Sequence, residues 1–114
     1  MLVCTFGDLL LDVIVRLERP LVPGDDVVAS TGLHAGGQAA NVAAWAVALG
    51  GRARFVGSRS DDATGRLVRA DLAARGVELA GPVGGRTGVV VAVVGRDRDR
   101  SMASDRGSAA DPAA

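Results

Sequence analysis

The sequence has no lysine, no tyrosine, one cysteine, one histidine, one tryptophan and two phenylalanines in its 114 residues. Each shortage removes a class of chemistry. Without lysine there is no phosphate-loop lysine of the Walker type, no Schiff-base amine and no lysine of the protein-kinase signature. A Cys/His zinc site takes about four ligands, which Cys4 and His34 cannot supply within one chain. A lone cysteine also excludes an intrachain disulfide, in keeping with a reducing compartment. No apolar run reaches the ~20 residues of a membrane span. The first residues lack the basic-then-apolar pattern of a secretory leader. The 13 cationic residues, all arginine, balance 13 acidic ones, so no basic field invites nucleic acid or an anionic membrane. We therefore expect a cytoplasmic protein with neither kind of partner.

What remains is globular in character. Apolar residues make up 48% and charged residues 23%, and there are 16 glycines and 4 prolines, values ordinary for one domain or one piece of a larger one. Leu2 to Phe6 is a short apolar run closed by Gly7, a buried strand in which Cys4 is expected to pack as a small hydrophobe. Asp12 to Leu17 alternates and reads as a half-buried strand. A Pro20, Pro23, Gly24 loop follows, and Val27 to Leu33 reads as a return strand. Gln38 to Leu49 is alanine-rich and uncharged, a helix expected to be buried all round with Trp45 in the core, and Gly50-Gly51 ends it. Arg52 to Val56 reads as a strand and Ala63 to Arg75 as a helix capped by Asp61 or Asp62. Leu67, Val68 and Leu72 form that helix's apolar stripe. Val77 to Val83 is ambiguous. Val89 to Val94 and Arg100 to Ala103 read as a hairpin. Strands alternating with helices imply a parallel sheet. The extra strands require a second, antiparallel one. No closing element follows Gly107, so a sheet begun by two βα units looks unfinished.

Three clusters could carry chemistry. Gly36-Gly37-Gln38-Ala39-Ala40-Asn41 opens the alanine helix. Glycines there let a ligand approach backbone N–H groups, and Asn41 offers both donor and acceptor. The bland alternative is a glycine hinge. The spacing is not G-x-G-x-x-G, so it carries no dinucleotide fingerprint. Asp8 follows the first strand and Asp12 opens the second, where a carboxylate can accept from two hydroxyls; a turn residue and a solvated charge are the alternative. Asp61 and Asp62 are paired carboxylates, better read as a helix cap than as acid/base or metal-binding groups. Arg106, in Ser104-Asp105-Arg106-Gly107-Ser108-Ala109-Ala110, could fork onto an anion or remain a surface charge. His34 precedes the glycine pair and is read as structural unless a ligand lies beside it.

Taken in order, Gly7-Asp8-Leu9-Leu10-Leu11-Asp12, Pro23-Gly24-Asp25, Gly36-Gly37-Gln38-Ala39-Ala40-Asn41-Val42-Ala43, Leu49-Gly50-Gly51 through Phe55-Val56-Gly57, Asp61-Asp62-x-x-Gly65, Gly76-Val77 and Thr87-Gly88 resemble the N-terminal part of the ribokinase/PfkB family of carbohydrate and nucleoside kinases. The resemblance runs over essentially the whole chain. It implies a ribokinase-like α/β fold: a mostly parallel sheet with flanking helices, and a small antiparallel β lid from strands at about residues 12–34 and 88–104. It implies transfer of the γ-phosphoryl of ATP, with Mg²⁺, to a sugar or nucleoside hydroxyl. On this chain Asp12 would hold substrate hydroxyls, Gly36, Gly37 and Asn41 would line the same site, and Gln38, Asp8 and Arg106 would have weaker roles. Gln38 stands where the family often has lysine, and Arg106 falls near an arginine of members acting on sugar acids.

The family's second signature, a Gly-Ala-Gly-Asp element with the catalytic base and anion hole, has no match in these residues. No catalytic residue, metal ligand, ATP site or Mg²⁺ site is therefore expected on this chain, which is read as a piece of a kinase, inactive alone. Lid-mediated dimers in the family make a homodimer through the lid a further expectation. A non-catalytic sugar-binding or lid-mediated interaction module is the alternative. An unrelated small α/β domain with hinge glycines is a third reading.

Overall fold

The computed structural model describes residues 1–57 and 60–107. The C-terminal run 108–114, including the end of the Arg106 motif, lies outside the described residues. In chain order the elements are β1 (Leu2–Phe6), β2 (Leu10–Leu17), β3 (Ala29–Gly36), α1 (Gln38–Ala48), β4 (Arg52–Val56), α2 (Ala63–Ala74), β5 (Glu78–Ala80), β6 (Gly88–Val94) and β7 (Arg100–Asp105).

They form two sheets. The first is parallel throughout, in the order β1-β4-β5. The second has the order β3-β2-β6-β7. It contains the two expected hairpin pairs, β2 with β3 and β6 with β7. Its central pair, β2 with β6, is parallel, so this sheet is mixed rather than antiparallel. The topology allows it: α1, β4, α2 and β5 intervene between β3 and β6, which gives the long crossover that a parallel pair needs.

One core joins both sheets to both helices. Phe55 of β4 is fully buried, with Leu72 and Val68 of α2 and Ala40 and Ala43 of α1 beside it, and Leu11 and Ala35 complete the cluster from the second sheet. Truncating Phe55 to alanine there should cost about 3–5 kcal/mol. Small residues on α1 let it lie close to β1 and β4.

Burial on α1 is one-sided. Ala40 and Ala43 are its buried residues, whereas Trp45 is 67% exposed. This corrects the expectation of an all-round buried helix with Trp45 in the core. An alanine helix needs only a narrow stripe in contact when its far side has no neighbour. Cys4 is likewise exposed rather than buried. On β1, Thr5 faces the core, and Leu2, Cys4 and Phe6 alternate onto the opposite face, which no helix covers among the described residues. In α2, Val68 and Leu72 are buried but Leu67 lies at the margin, 42% exposed.

Two carboxylates pin elements together. Asp62 caps α2, its Oδ1 accepting from the Gly65 N–H at 2.6 Å. It also accepts from the Thr87 hydroxyl at 2.7 Å and the Thr87 N–H at 3.1 Å. The Thr87 hydrogen bonds hold the Asp62 carboxyl below the usual carboxylate range. The paired acids are thus a cap, and Asp61 turns outward to Arg69 at 3.0 Å. Asp71 of α2 accepts the Ala35 N–H at 2.6 Å, tying the edge strand β3 to the helix just before the glycine pair.

Candidate functional site

The register of β2 on β3 sets Leu10 opposite Gly36 and Asp12 opposite His34. The Asp12 carboxylate leans toward Gly36. A Cβ built on Gly36 would lie within 3.0 Å of both carboxylate oxygens and their carbon. Gly36 is therefore not a hinge; it is the floor on which a carboxylate rests. Gly37 adopts φ 99°, and a Cβ there would strike the Asp8 carbonyl. The second glycine lets the chain turn from strand to helix against the β1–β2 loop.

Among the described residues no hydrogen bond reaches the Asp12 carboxylate, whose side chain is 29% exposed. Across the strand pair stands His34, with Nε2 3.8 Å from Oδ2, beyond hydrogen-bond distance. Continuing across the sheet, Asp12 stands beside Val90, and Val90 beside Ser104. His34, Asp12, Val90 and Ser104 thus form one row on one face.

That row adjoins a cleft of about 430 Å³ where the second sheet meets β1 and α1. Asp8, Gly37, Gln38, Val90, Ser104 and Arg106 are among its lining residues. The start of α1 opens here: Gly37 is its N-cap, no side chain caps it, and its first turn holds no acid. A helix start in that state favours an electron-rich oxygen from a ligand. Arg106 is exposed and makes no ion pair among the described residues. The neighbouring Asp105 is taken by Arg86, at 2.6 and 3.0 Å, and that fork holds the Asp105 carboxyl below its ordinary range.

Of the candidate residues, Asp8, Gly37, Gln38 and Arg106 line the cleft, and Asp12 and Gly36 adjoin it through their strand partners Val90 and Leu10. The structure does not bring Asn41 into the cleft. Asn41 sits one turn along α1, exposed, and lines a separate shallow groove with Trp45 and Arg75. His34, which the sequence marked only by its place before the glycines, joins the site through strand register. Among the described residues no three His, Cys, Asp or Glu side chains converge to hold a metal. The polar groups on hand are a carboxylate, an amide, an imidazole and a guanidinium, which between them donate and accept hydrogen bonds.

The profile of the pfkB family carbohydrate kinases matches residues 1–114. The chain belongs to the pfkB carbohydrate kinase family. Fructokinase-1 of Zea mays is 37% identical over 96% of this chain, and Fructokinase-1 of Oryza sativa is 35% identical over the same share. The chain spans only 34% of either relative. An Arabidopsis thaliana ribokinase solved with ribose and ATP superposes with a TM-score of 0.73 and 29% identity, covering 93% of this chain and 36% of the ribokinase. The two sheets, one parallel and one mixed, and the two helices are those of a ribokinase-like α/β fold.

Proposed function

We propose that this chain is the sugar-binding and lid portion of an ATP-dependent carbohydrate kinase, and that its ligand is a fructose-like or ribose-like monosaccharide. One observation carries the reading: a carboxylate, Asp12, rests on a glycine floor in the row that adjoins the cleft, and among the described residues no hydrogen bond reaches it. A carboxylate so placed accepts hydrogen bonds from two sugar hydroxyls, and each bond to a charged acceptor contributes about 1.5–3 kcal/mol. The maize and rice fructokinases and the ribose-bound ribokinase support the ligand class.

In this reading Asp12 and Gly36 set the depth of the sugar. Gln38 and Asp8 offer further polar contacts at its edge, and Arg106 adds a fork of donors at the cleft wall. Asn41, on the next turn of α1, meets the sugar only where the ligand or a neighbouring element extends past Gln38. The second sheet covers the site and keeps water from it. ATP with Mg²⁺ would supply the phosphoryl group and its charge neutralisation in the whole enzyme. In this reading the chain's own part is to bind and orient the acceptor sugar.

The test is a titration of the 114-residue chain with D-fructose and D-ribose, followed by backbone amide shifts. Saturable shifts at Gly36, Gly37 and Gln38 are expected, and their loss in Asp12→Asn. With ATP and Mg²⁺ the chain alone should form no sugar phosphate. Turnover at an ordinary enzymatic rate, roughly 1–10³ per second, would show that it carries the phosphate side of the site as well. Binding without turnover also fits a non-catalytic sugar-binding module.

A homodimer joined through the second sheet belongs to the same proposal. Its outer strand β7 is exposed along its whole length, and an open strand edge is a surface for pairing.

A further inference from the structure

His34 is the one histidine of the chain, and the fold puts it directly across from Asp12. The two side chains face the same side of the second sheet and are 35% and 29% exposed. Their separation is informative. At 3.8 Å, Nε2 and Oδ2 are too far apart to bond each other. They are close enough for a single oxygen to sit about 2.7–3.0 Å from both.

The two groups are also complementary. An ionised carboxylate only accepts, whereas a hydroxyl both donates and accepts. A hydroxyl that gives its proton to Asp12 still needs a donor for its lone pair. Val90, on the other side of Asp12 in the row, has none. Gly36, beneath the carboxylate, presents no side chain. Across the strand pair from Asp12, His34 Nε2–H is a donor at that spacing, in the neutral tautomer carrying that proton or in the imidazolium.

We infer that His34 and Asp12 together read one sugar hydroxyl, with His34 a specificity-determining residue that rewards a hydroxyl over hydrogen or methoxy at that carbon. The inference rests on the sugar-binding reading above and adds to it a residue and a selectivity. A site built to satisfy both ends of a hydroxyl discriminates against an analogue lacking it, because two polar groups are then left unpaired. Asp71 supports the arrangement from behind: by accepting the Ala35 N–H at 2.6 Å it fixes the strand end that carries His34.

The experiment measures dissociation constants of the 114-residue chain for D-fructose and D-ribose, and for the monodeoxy and mono-O-methyl analogues of each. The proteins compared are the wild type, His34→Ala, His34→Gln and Asp12→Asn. Gln places an amide nitrogen near the Nε2 position and should restore most of the affinity that Ala removes. His34→Ala should bind the better parent sugar about tenfold more weakly, the scale of one lost hydrogen bond. For one analogue, the wild type and His34→Ala should bind equally, because the hydroxyl that His34 reads is gone.

If His34→Ala binds every sugar as the wild type does, while Asp12→Asn loses binding, the His34 inference falls and the sugar site stands. A wild-type chain that binds every analogue as well as its parent also overturns the inference, with no variant needed. If the wild type binds none of these sugars while Gly36 and Gln38 amides are visible and unshifted, the sugar-binding reading falls and the inference falls with it.

Discussion

At the scale of single residues, the site depends on a missing side chain. Gly36 has an ordinary place at the end of β3, and its requirement is space: the Asp12 carboxylate occupies the position a Cβ would take. Gly36→Ala should therefore leave the helices and strands intact, as judged by circular dichroism. It should push the carboxylate off its floor and weaken sugar binding by tenfold or more, the effect of losing at least one charged hydrogen bond. Retained affinity would show that Asp12 is not held where the sugar reads it. Asp62 supplies a second residue-scale test, of stability. Its carboxylate caps α2 and takes both donors of Thr87, so Asp62→Ala should cost about 1–2 kcal/mol. The pH dependence follows from the depressed pKa. The contribution is fully present above the unfolded carboxylate value of about 3.9, and it fades as pH falls through the lower folded value. Urea midpoints of wild type and Asp62→Ala should thus differ at neutral pH and converge in acid.

At the scale of elements, most boundaries were legible because local chemistry agrees with the fold. Arg52–Val56 is bracketed by glycines and packs as a strand, and Asp62 opens α2 where an N-cap is wanted. Pairing partners were less legible. β2 and β6 are 70 or more residues apart and pair in parallel, which alternation within either strand cannot reveal. The candidate residues Asp12, Gly36 and Gly37 could be read from their types, whereas the roles of His34 and Thr87 depend on register and tertiary contact. The β3 boundary shows the same limit: the apolar pair Val27-Val28 precedes the strand, and the pairing runs instead to Gly36. The exposed side of α1 was misread because alanine reports no preference between core and water. Trp45 tests the corrected view directly. Its indole, 67% exposed, should emit at the long wavelength of a solvated indole and be quenched readily by acrylamide in the folded chain. A blue-shifted, protected emission would put that face of α1 against something.

At the scale of the whole molecule, the described residues cover the first sheet on one face only. Ala53 and Phe55 of β4 face the core, while Leu2, Cys4 and Phe6 of β1 stand on the other side. Register places Cys4 beside Arg54, and Arg54 beside Glu78. Glu78 in turn bonds Arg52 at 2.8 Å and Arg54 at 3.0 Å. The arginine half of this face is therefore satisfied in water, and the β1 half is apolar with an open strand edge. An apolar strip beside an unpaired edge favours association. The 114-residue chain should sediment as a monomer when dilute and as larger species at higher concentration. Leu2→Gln, which places an amide on the strip outside the cleft, should move that transition to higher concentration. The Cys4 thiol reports which surface is involved. It should react with a maleimide quickly in the dilute folded chain, and more slowly as association covers β1. Association with undiminished Cys4 reactivity would instead assign the contact to the exposed strand β7 of the second sheet, the edge a lid-joined dimer would use.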